Sequence, residues 1–184
     1  MANPLRLPSA LRVFPLIALI AFLPSVQAQA PARAEKLESK LRVAMLKANK
    51  NIHGTWIKAV ELKAILEDTN LVLIDVRQPK EQDISMLPHA MTTAQFAERF
   101  RHGIPPEKRI VVYCTIGYRS GKYAEQLTAM KIKSETLEGG ILMWSFVGGN
   151  LESKNTRGET VVTNRIHVYD AEWNIVHPDY VGVL

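Results

Sequence analysis

Two short apolar runs, at residues 71–74 (Leu-Val-Leu-Ile) and 110–113 (Ile-Val-Val-Tyr), constrain the fold of this sequence more than any other feature. Each run has the length of a strand, and the next residue is Asp75 in the first case and Cys114 in the second. A continuous apolar run of this length is typical of a strand buried on both faces of a parallel sheet. Helical patterns follow both runs, and strands that alternate with helices imply right-handed crossovers. The sequence therefore predicts an α/β fold with a central parallel sheet flanked by helices.

The regions on either side of this alternation have different patterns. Residues 34–49 carry apolar side chains at helical spacing and predict an amphipathic helix. Near the carboxyl end, residues 161–162 predict a strand, and residues 166–169 and 173–176 predict two strands joined by a turn. We therefore expect three regions after the N-terminal thirty residues: an N-terminal helical segment over 31–54, an α/β domain over 55–149 and a β-rich C-terminal extension over 150–184.

The first thirty residues have the composition of a secretory signal peptide. Arg6 and Arg12 precede an apolar run over 13–23, and an Ala-Gln-Ala sequence ends at Ala30. The run is short for a membrane span and has no basic cluster after it. We expect cleavage after Ala30 and export to the periplasm, with membrane contact only if this segment is retained.

Composition and charge exclude several classes of protein. The chain is 47% hydrophobic and 22% charged, which is typical of a globular domain and unlike a disordered or disulfide-dense chain. Removal of Arg6 and Arg12 with the signal segment lowers the formal net charge from +5 to +3. No basic block with interleaved aromatic residues remains, so a nucleic-acid partner is not expected. A small anion is an admissible ligand.

The sequence has one cysteine, Cys114, which therefore cannot form an internal disulfide. It lies where a buried strand gives way to a loop (residues 115–120) and then to a helix. The backbone N–H groups of such a loop converge on one point, and the helix dipole adds positive potential there. Together with nearby Arg119 these effects favour a thiolate, and Gly117 allows the backbone to curl inward. None of the histidines has metal-ligand spacing, so neither a metal nor a cofactor is expected.

The spacing Cys-x-x-Gly-x-Arg resembles the active-site loop of the single-domain rhodaneses, which are thiosulfate-type sulfurtransferases. Three further stretches resemble that family. Residues 73–77 with Glu81 match its Asp-Val-Arg signature, residues 87–90 its Ile-Pro-Gly-Ala turn, and residues 137–144 its closing Leu-x-Gly-Gly-x-x-x-Trp pattern. Order and spacing agree from about residue 55 to residue 149. His89 stands where the family usually has glycine, so we expect the path of that turn to differ.

The resemblance implies a two-step exchange of sulfur. The Cys114 thiolate would attack the outer sulfur of a donor such as thiosulfate, and sulfite would leave a persulfide on the enzyme. A thiophilic acceptor, cyanide in an assay or a thiol in the cell, would then remove that sulfur. The loop residues would cradle the anion and Arg119 would orient the donor, while three residues before the loop would support it. The cradle comprises Thr115, Ile116, Gly117, Tyr118, Arg119 and Ser120, and the supporting residues are Asp75, Arg77 and Glu81.

Two other functions remain open on the sequence alone. One is a periplasmic persulfide carrier or rhodanese-like binding module with little turnover, which would dock on a protein partner through the N-terminal helix or the C-terminal extension. A carrier and an enzyme need the same persulfide, so Cys114 and Arg119 do not separate them. A phosphatase or arsenate reductase is less favoured, because the loops of those enzymes have five residues between cysteine and arginine and this loop has four.

Overall fold

The structure is a computed structural model that describes the backbone of residues 26–184 and the side chains from residue 31 onward. Most of the predicted signal segment therefore lies outside the described residues, and the cleavage after Ala30 stays a prediction. No helix within the described part of the chain is long and apolar enough to cross a membrane.

A five-stranded parallel sheet forms the centre of the fold, with the strands in the order β1-β5-β4-β2-β3. The two apolar runs form its middle strands, which pair over their full length from Leu71 opposite Arg109 to Asp75 opposite Tyr113. This confirms the predicted parallel sheet. The strands are β1 (Thr55–Ile57), β2 (Leu71–Asp75), β3 (Met91–Thr92), β4 (Arg109–Tyr113) and β5 (Glu135–Leu137).

Six helices flank the sheet in the described residues, as the alternating pattern predicts. Side chains alternate between the two faces of β2 and β4, so Leu73 and Val111 pack on one face and Val72 and Val112 on the other. Helices α1, α2 and α6 contribute to the first core, and α4 and α5 to the second. The helices are α1 (Val26–Asn49), α2 (Ala59–Ala64), α3 (Pro79–Gln82), α4 (Thr93–Arg99), α5 (Tyr118–Ala129) and α6 (Gly140–Phe146).

The C-terminal extension is rich in strands, but its pairing differs from the prediction. Strands β6 (Leu151–Lys154) and β7 (Thr160–Thr163) form an antiparallel pair, and β8 (Arg165–His167) pairs in parallel with β9 (Val181–Val183). The predicted second strand at 173–176 is wrong: its first residue ends a short 3-10 helix, Ala171–Trp173. Asp170 caps that helix by accepting N–H bonds, which competes with strand formation.

The extension shares the core of the α/β domain. Ile166, Val168 and Ile175 are buried in the same cluster as Leu41 of α1 and Trp144 of α6. The two added regions at the ends of the chain therefore pack on one face of the sheet.

Two local predictions near the site need correction. The loop after Cys114 was expected to run to Ser120, but α5 already begins at Tyr118, so Arg119 and Ser120 lie in its first turn. His89 adopts a φ of 61°, the left-handed conformation that glycine takes most easily. The turn therefore keeps a glycine-like backbone at His89 without the glycine.

Candidate active site

Cys114 lies immediately after β4, at the carboxyl edge of the sheet, and only 1% of its surface is exposed. The Gly117 N–H donates to its Sγ over 3.2 Å, and the Ser120 hydroxyl lies 3.5 Å from the same sulfur. Gly117 has a φ of 106°, which an L side chain adopts only with strain, and it forms the N-cap of α5. The Ser120 hydroxyl lies closer to the Gly117 carbonyl, at 3.1 Å, and has a single proton to donate, so the Gly117 N–H is the direct donor to the sulfur. This N–H and the helix N-terminus favour negative charge on the sulfur.

The carbonyl groups of the loop are bonded on the other side. The Ile141 N–H of α6 donates to the Cys114 carbonyl over 2.9 Å, and the next N–H along α6 donates to the Thr115 carbonyl over 3.2 Å. The Asn49 side chain, at the end of α1, donates to the Ile116 carbonyl over 3.0 Å. Because three successive carbonyls have partners in other elements, the loop is held in one conformation by residues distant in sequence.

Arg119 makes its strongest contacts with a buried carboxylate. Its two terminal nitrogens donate to Glu81 over 2.6 and 2.8 Å, and one of them also donates to the Thr115 hydroxyl over 2.9 Å. The same hydroxyl donates to Glu81 over 3.1 Å. Glu81 is fully buried, and about 30% of the Arg119 side chain is exposed. This bidentate pair links α3 to the cysteine loop.

The two charges in this pair stabilise each other. Burial works against the charged form of Glu81, but hydrogen bonds from Arg119 and Gln78, and the positive charges of Arg119 and Arg77, lower its pKa to about 2. Burial also opposes the charge of Arg119, but the bond to Glu81 and the attraction of Cys114 raise its pKa above the ordinary value. Both groups are therefore ionised at neutral pH.

Asp75 and Arg77 form a second buried ion pair, and their side chains bond to each other and to the turn after β2. The guanidinium of Arg77 donates to both Asp75 oxygens and to the Ser85 carbonyl. The Tyr113 hydroxyl accepts the Leu87 N–H nearby, over 3.0 Å. The three predicted supporting residues therefore have different partners: Glu81 bonds to the loop and to Arg119, whereas Asp75 and Arg77 brace the turn after β2.

A pocket of about 420 Å³ lies over Cys114. Four of the predicted cradle residues line it with Cys114, namely Thr115, Ile116, Tyr118 and Arg119, whereas Gly117 and Ser120 do not. Three lining residues come from outside the loop and were not predicted: Ala48 of α1, and Tyr169 and Trp173 of the C-terminal extension. No motif contains them. The only sequence signal is that aromatic residues recur in a segment that the α/β pattern does not require.

Comparison with protein families matches residues 58–146 to the rhodanese-like domain, which includes β2, β4, α5 and the cysteine loop. The chain contains a rhodanese-like domain. The resemblance inferred from the four motifs is thus confirmed, together with the fold class. This match supports an association with the sulfurtransferase family and does not identify a specific activity.

Individual relatives of the rhodanese-like domain have different names. A tRNA uridine(34) hydroxylase of Cronobacter sakazakii is 29% identical over 129 residues, which cover 59% of this chain and 36% of that protein. The chain thus matches about a third of the length of such relatives. A rhodanese-like domain protein of Staphylococcus aureus is 27% identical, with 55% of this chain and 99% of that chain covered and a TM-score of 0.46. A possible tyrosine phosphatase of Rhodopseudomonas palustris is 25% identical, with coverage of 59% and 91% and a TM-score of 0.45.

Proposed function

We propose that this protein is a sulfurtransferase that moves sulfane sulfur from a donor such as thiosulfate to a thiophilic acceptor through a persulfide on Cys114. The observation that carries the proposal is the contact between the Gly117 N–H and Sγ at the floor of an open pocket. A sulfur with this N–H donor, at the start of a helix, is stabilised as an anion in both the thiolate and the persulfide form.

The reaction needs no separate general base. The thiolate of Cys114 attacks the outer sulfur of thiosulfate, a new S–S bond forms, and sulfite leaves with the electron pair of the old S–S bond. The persulfide anion that results carries its charge one atom further into the pocket. In the second step the acceptor attacks that terminal sulfur and Cys114 leaves as a thiolate, which restores the starting state.

The contacts of Arg119 change the role expected for it. Its terminal nitrogens are bonded to Glu81 and Thr115, so we propose that it acts mainly by positioning the loop and by the positive potential it adds near the sulfur. An arginine bound to a buried carboxylate is also poorly placed to clamp a phosphate. This arrangement, with the four-residue spacing, speaks against a phosphatase.

Intact mass spectrometry tests the proposal directly. The purified protein is exposed to thiosulfate without reducing agent and then to cyanide, with Cys114→Ser as the matched control. We expect a gain of one sulfur atom on the wild-type protein alone, lost again in cyanide with formation of thiocyanate. A protein that never gains the sulfur contradicts the proposal. If the protein gains the sulfur but transfers it only to another protein and not to cyanide, it is a persulfide carrier.

We also propose that the protein works in the periplasm after cleavage behind Ala30. The arginines and the apolar run in the first thirty residues support this. Expression of the full chain with fractionation tests it: the periplasmic fraction should contain a protein whose mass corresponds to a start at Pro31. A full-length product confined to the cytoplasm would refute it.

A further inference from the structure

Two aromatic rings of the C-terminal extension lie over the cysteine loop. The pocket above Cys114 is lined by the side chains of Tyr118, Tyr169 and Trp173. We call these three side chains the aromatic wall. Tyr118 and Tyr169 leave 48% and 54% of their surface exposed. Aromatic side chains exposed beside a reactive group are a common feature of ligand sites.

The extension fixes Tyr169 in place. Its N–H donates to Nδ1 of the buried His167 over 3.0 Å, and the residue adopts a φ of 71°. Burial lowers the pKa of His167, which keeps this nitrogen free to accept the bond at neutral pH. The ring lies 5.4 Å from the guanidinium of Arg119, within reach of a cation–π contact.

Trp173 is held as well. Its N–H is capped by Asp170, and its ring packs against the core shared with α1 and α6. Trp173 is therefore held by its cap and its packing, and Tyr169 by its backbone bond and the contact of its ring with Arg119, so a ligand that binds against these two rings orders few additional groups.

The size and charge of the pocket favour a larger, singly charged donor over a small inorganic dianion. A volume of about 420 Å³ lies in the range of roughly 300–1,000 Å³ that accommodates drug-sized organic ligands. Apart from Cys114 itself, Arg119 is the one ionisable cation or carboxylate among the described lining residues, and it is already paired with Glu81. A dianion meets the positive potential of Arg119 and of the helix N-terminus here but no free cation, so its lost hydration is compensated less well than that of a monoanion.

We infer that the aromatic wall selects the sulfur donor, and that the pocket takes an organic sulfane-sulfur monoanion with an apolar, ring-sized body in preference to thiosulfate. This inference rests on the proposed function. An organic thiosulfonate, R–SO₂–S⁻, has the required chemistry. The Cys114 thiolate attacks its terminal sulfur, the new S–S bond forms, and the sulfinate R–SO₂⁻ leaves with the electron pair of the broken S–S bond while R lies against the rings.

A pair of donors that differ only in R tests the inference. Benzenethiosulfonate and the methanethiosulfonate anion are compared by kcat/KM for cyanide-dependent thiocyanate formation, with thiosulfate as a third donor. One additional methylene in an apolar pocket discriminates by about 10- to 200-fold, and a phenyl ring exceeds a methyl group by several such carbons. We expect a preference of at least about tenfold for the aromatic donor over methanethiosulfonate, and a preference over thiosulfate.

Two substitutions remove the rings separately. Tyr169→Asn deletes one ring with a residue that tolerates the left-handed backbone, and Trp173→Phe shortens the other while preserving packing. Each should reduce the preference for the aromatic donor several-fold, with a smaller effect on methanethiosulfonate. Tyr123→Ala, which removes a ring on α5 that packs against the opposite core, is the matched control and should leave the ratio unchanged.

Binding to the Cys114→Ser variant separates this inference from the proposed function. Calorimetry should detect benzenethiosulfonate binding at least about tenfold more tightly than methanethiosulfonate. If that holds but the wild-type protein never gains sulfur, the proposed function fails and the pocket preference stands. If the wild-type protein loads sulfur but shows no preference for the aromatic donor, or if both ring substitutions leave the preference intact, the inference is overturned.

Discussion

Replacement of Glu81 by glutamine tests the idea that a buried carboxylate holds the cysteine loop. The carboxylate accepts two bonds from Arg119, one from the Thr115 hydroxyl and one from the Gln78 N–H. Glutamine has nearly the same shape and can still accept some of these bonds, but it has no charge. The substitution therefore leaves Arg119 without its counter-ion.

The size of the effect follows from the pKa of Glu81. Its pKa of about 2 lies below the ordinary 4.5, and each pKa unit corresponds to about 1.4 kcal/mol, so ionisation of Glu81 contributes about 3 kcal/mol to folding. Because the pKa is lowered in the folded state, this stability is fully present above about pH 4.5. It is lost as the pH falls toward 2, where the folded protein also protonates Glu81.

Urea unfolding followed by tryptophan fluorescence at a series of pH values measures this pH dependence of the unfolding free energy. At pH 6.5 the wild-type protein should exceed Glu81→Gln by about 3 kcal/mol in unfolding free energy. The difference should shrink below pH 4.5 and approach zero near pH 2, since a protonated carboxyl group then resembles the amide.

A surface pair provides the control. Glu98 bonds to Arg101 with most of its side chain exposed, so Glu98→Gln should cost no more than about 0.5 kcal/mol at any pH. If the loss in Glu81→Gln were the same at pH 6.5 and pH 2.5, the cause would be altered packing, and the argument from the ion pair would be refuted.

Three further substitutions test other parts of the structure. In Gly140→Ala, the new Cβ would overlap the carbonyl oxygen of Cys114, and alanine would be strained at the φ of 57° of this position. Urea unfolding should therefore show a loss of at least about 2 kcal/mol in unfolding free energy, and mass spectrometry should show slower sulfur loading. Tyr113→Phe leaves the buried Leu87 N–H without its acceptor and should cost about 1–3 kcal/mol in urea unfolding; no loss would show that water replaces the hydroxyl. Leu41→Ala removes a fully buried side chain of α1 and should cost about 2–5 kcal/mol, whereas an independent N-terminal helix would leave the unfolding transition of the domain unchanged.

Much of the fold could be predicted from local sequence because parallel strands and amphipathic helices have local patterns. The runs at 71–74 and 110–113 are apolar throughout, and the structure pairs them at the centre of the sheet. The segment at 173–176 has a similar composition, yet it is not a strand. There the capping bonds of Asp170 favour a 3-10 helix, and β8 pairs with a segment nearer the carboxyl end.

The candidate site also contains some residues that local sequence predicts and others that it does not. Cys114, Gly117 and Ser120 are close in sequence, and the strand–loop–helix pattern alone predicts that they surround one point. The partner of Arg119 and the two aromatic residues of the C-terminal extension have no such local pattern, because Glu81, Tyr169 and Trp173 are far along the chain from the loop.

Local sequence patterns are enough to predict the fold class, the position of the single thiol at the carboxyl end of a buried strand, and the four ordered motifs of a rhodanese-like domain. These depend on interactions between near neighbours in the chain. The tertiary fold places Glu81 of α3 against Arg119 of α5, and it places Tyr169 and Trp173 beside the thiol. The contacts of these two aromatic residues arise only when the C-terminal extension packs with α1 on one face of the sheet, because burial of their shared apolar core brings distant residues together at the site.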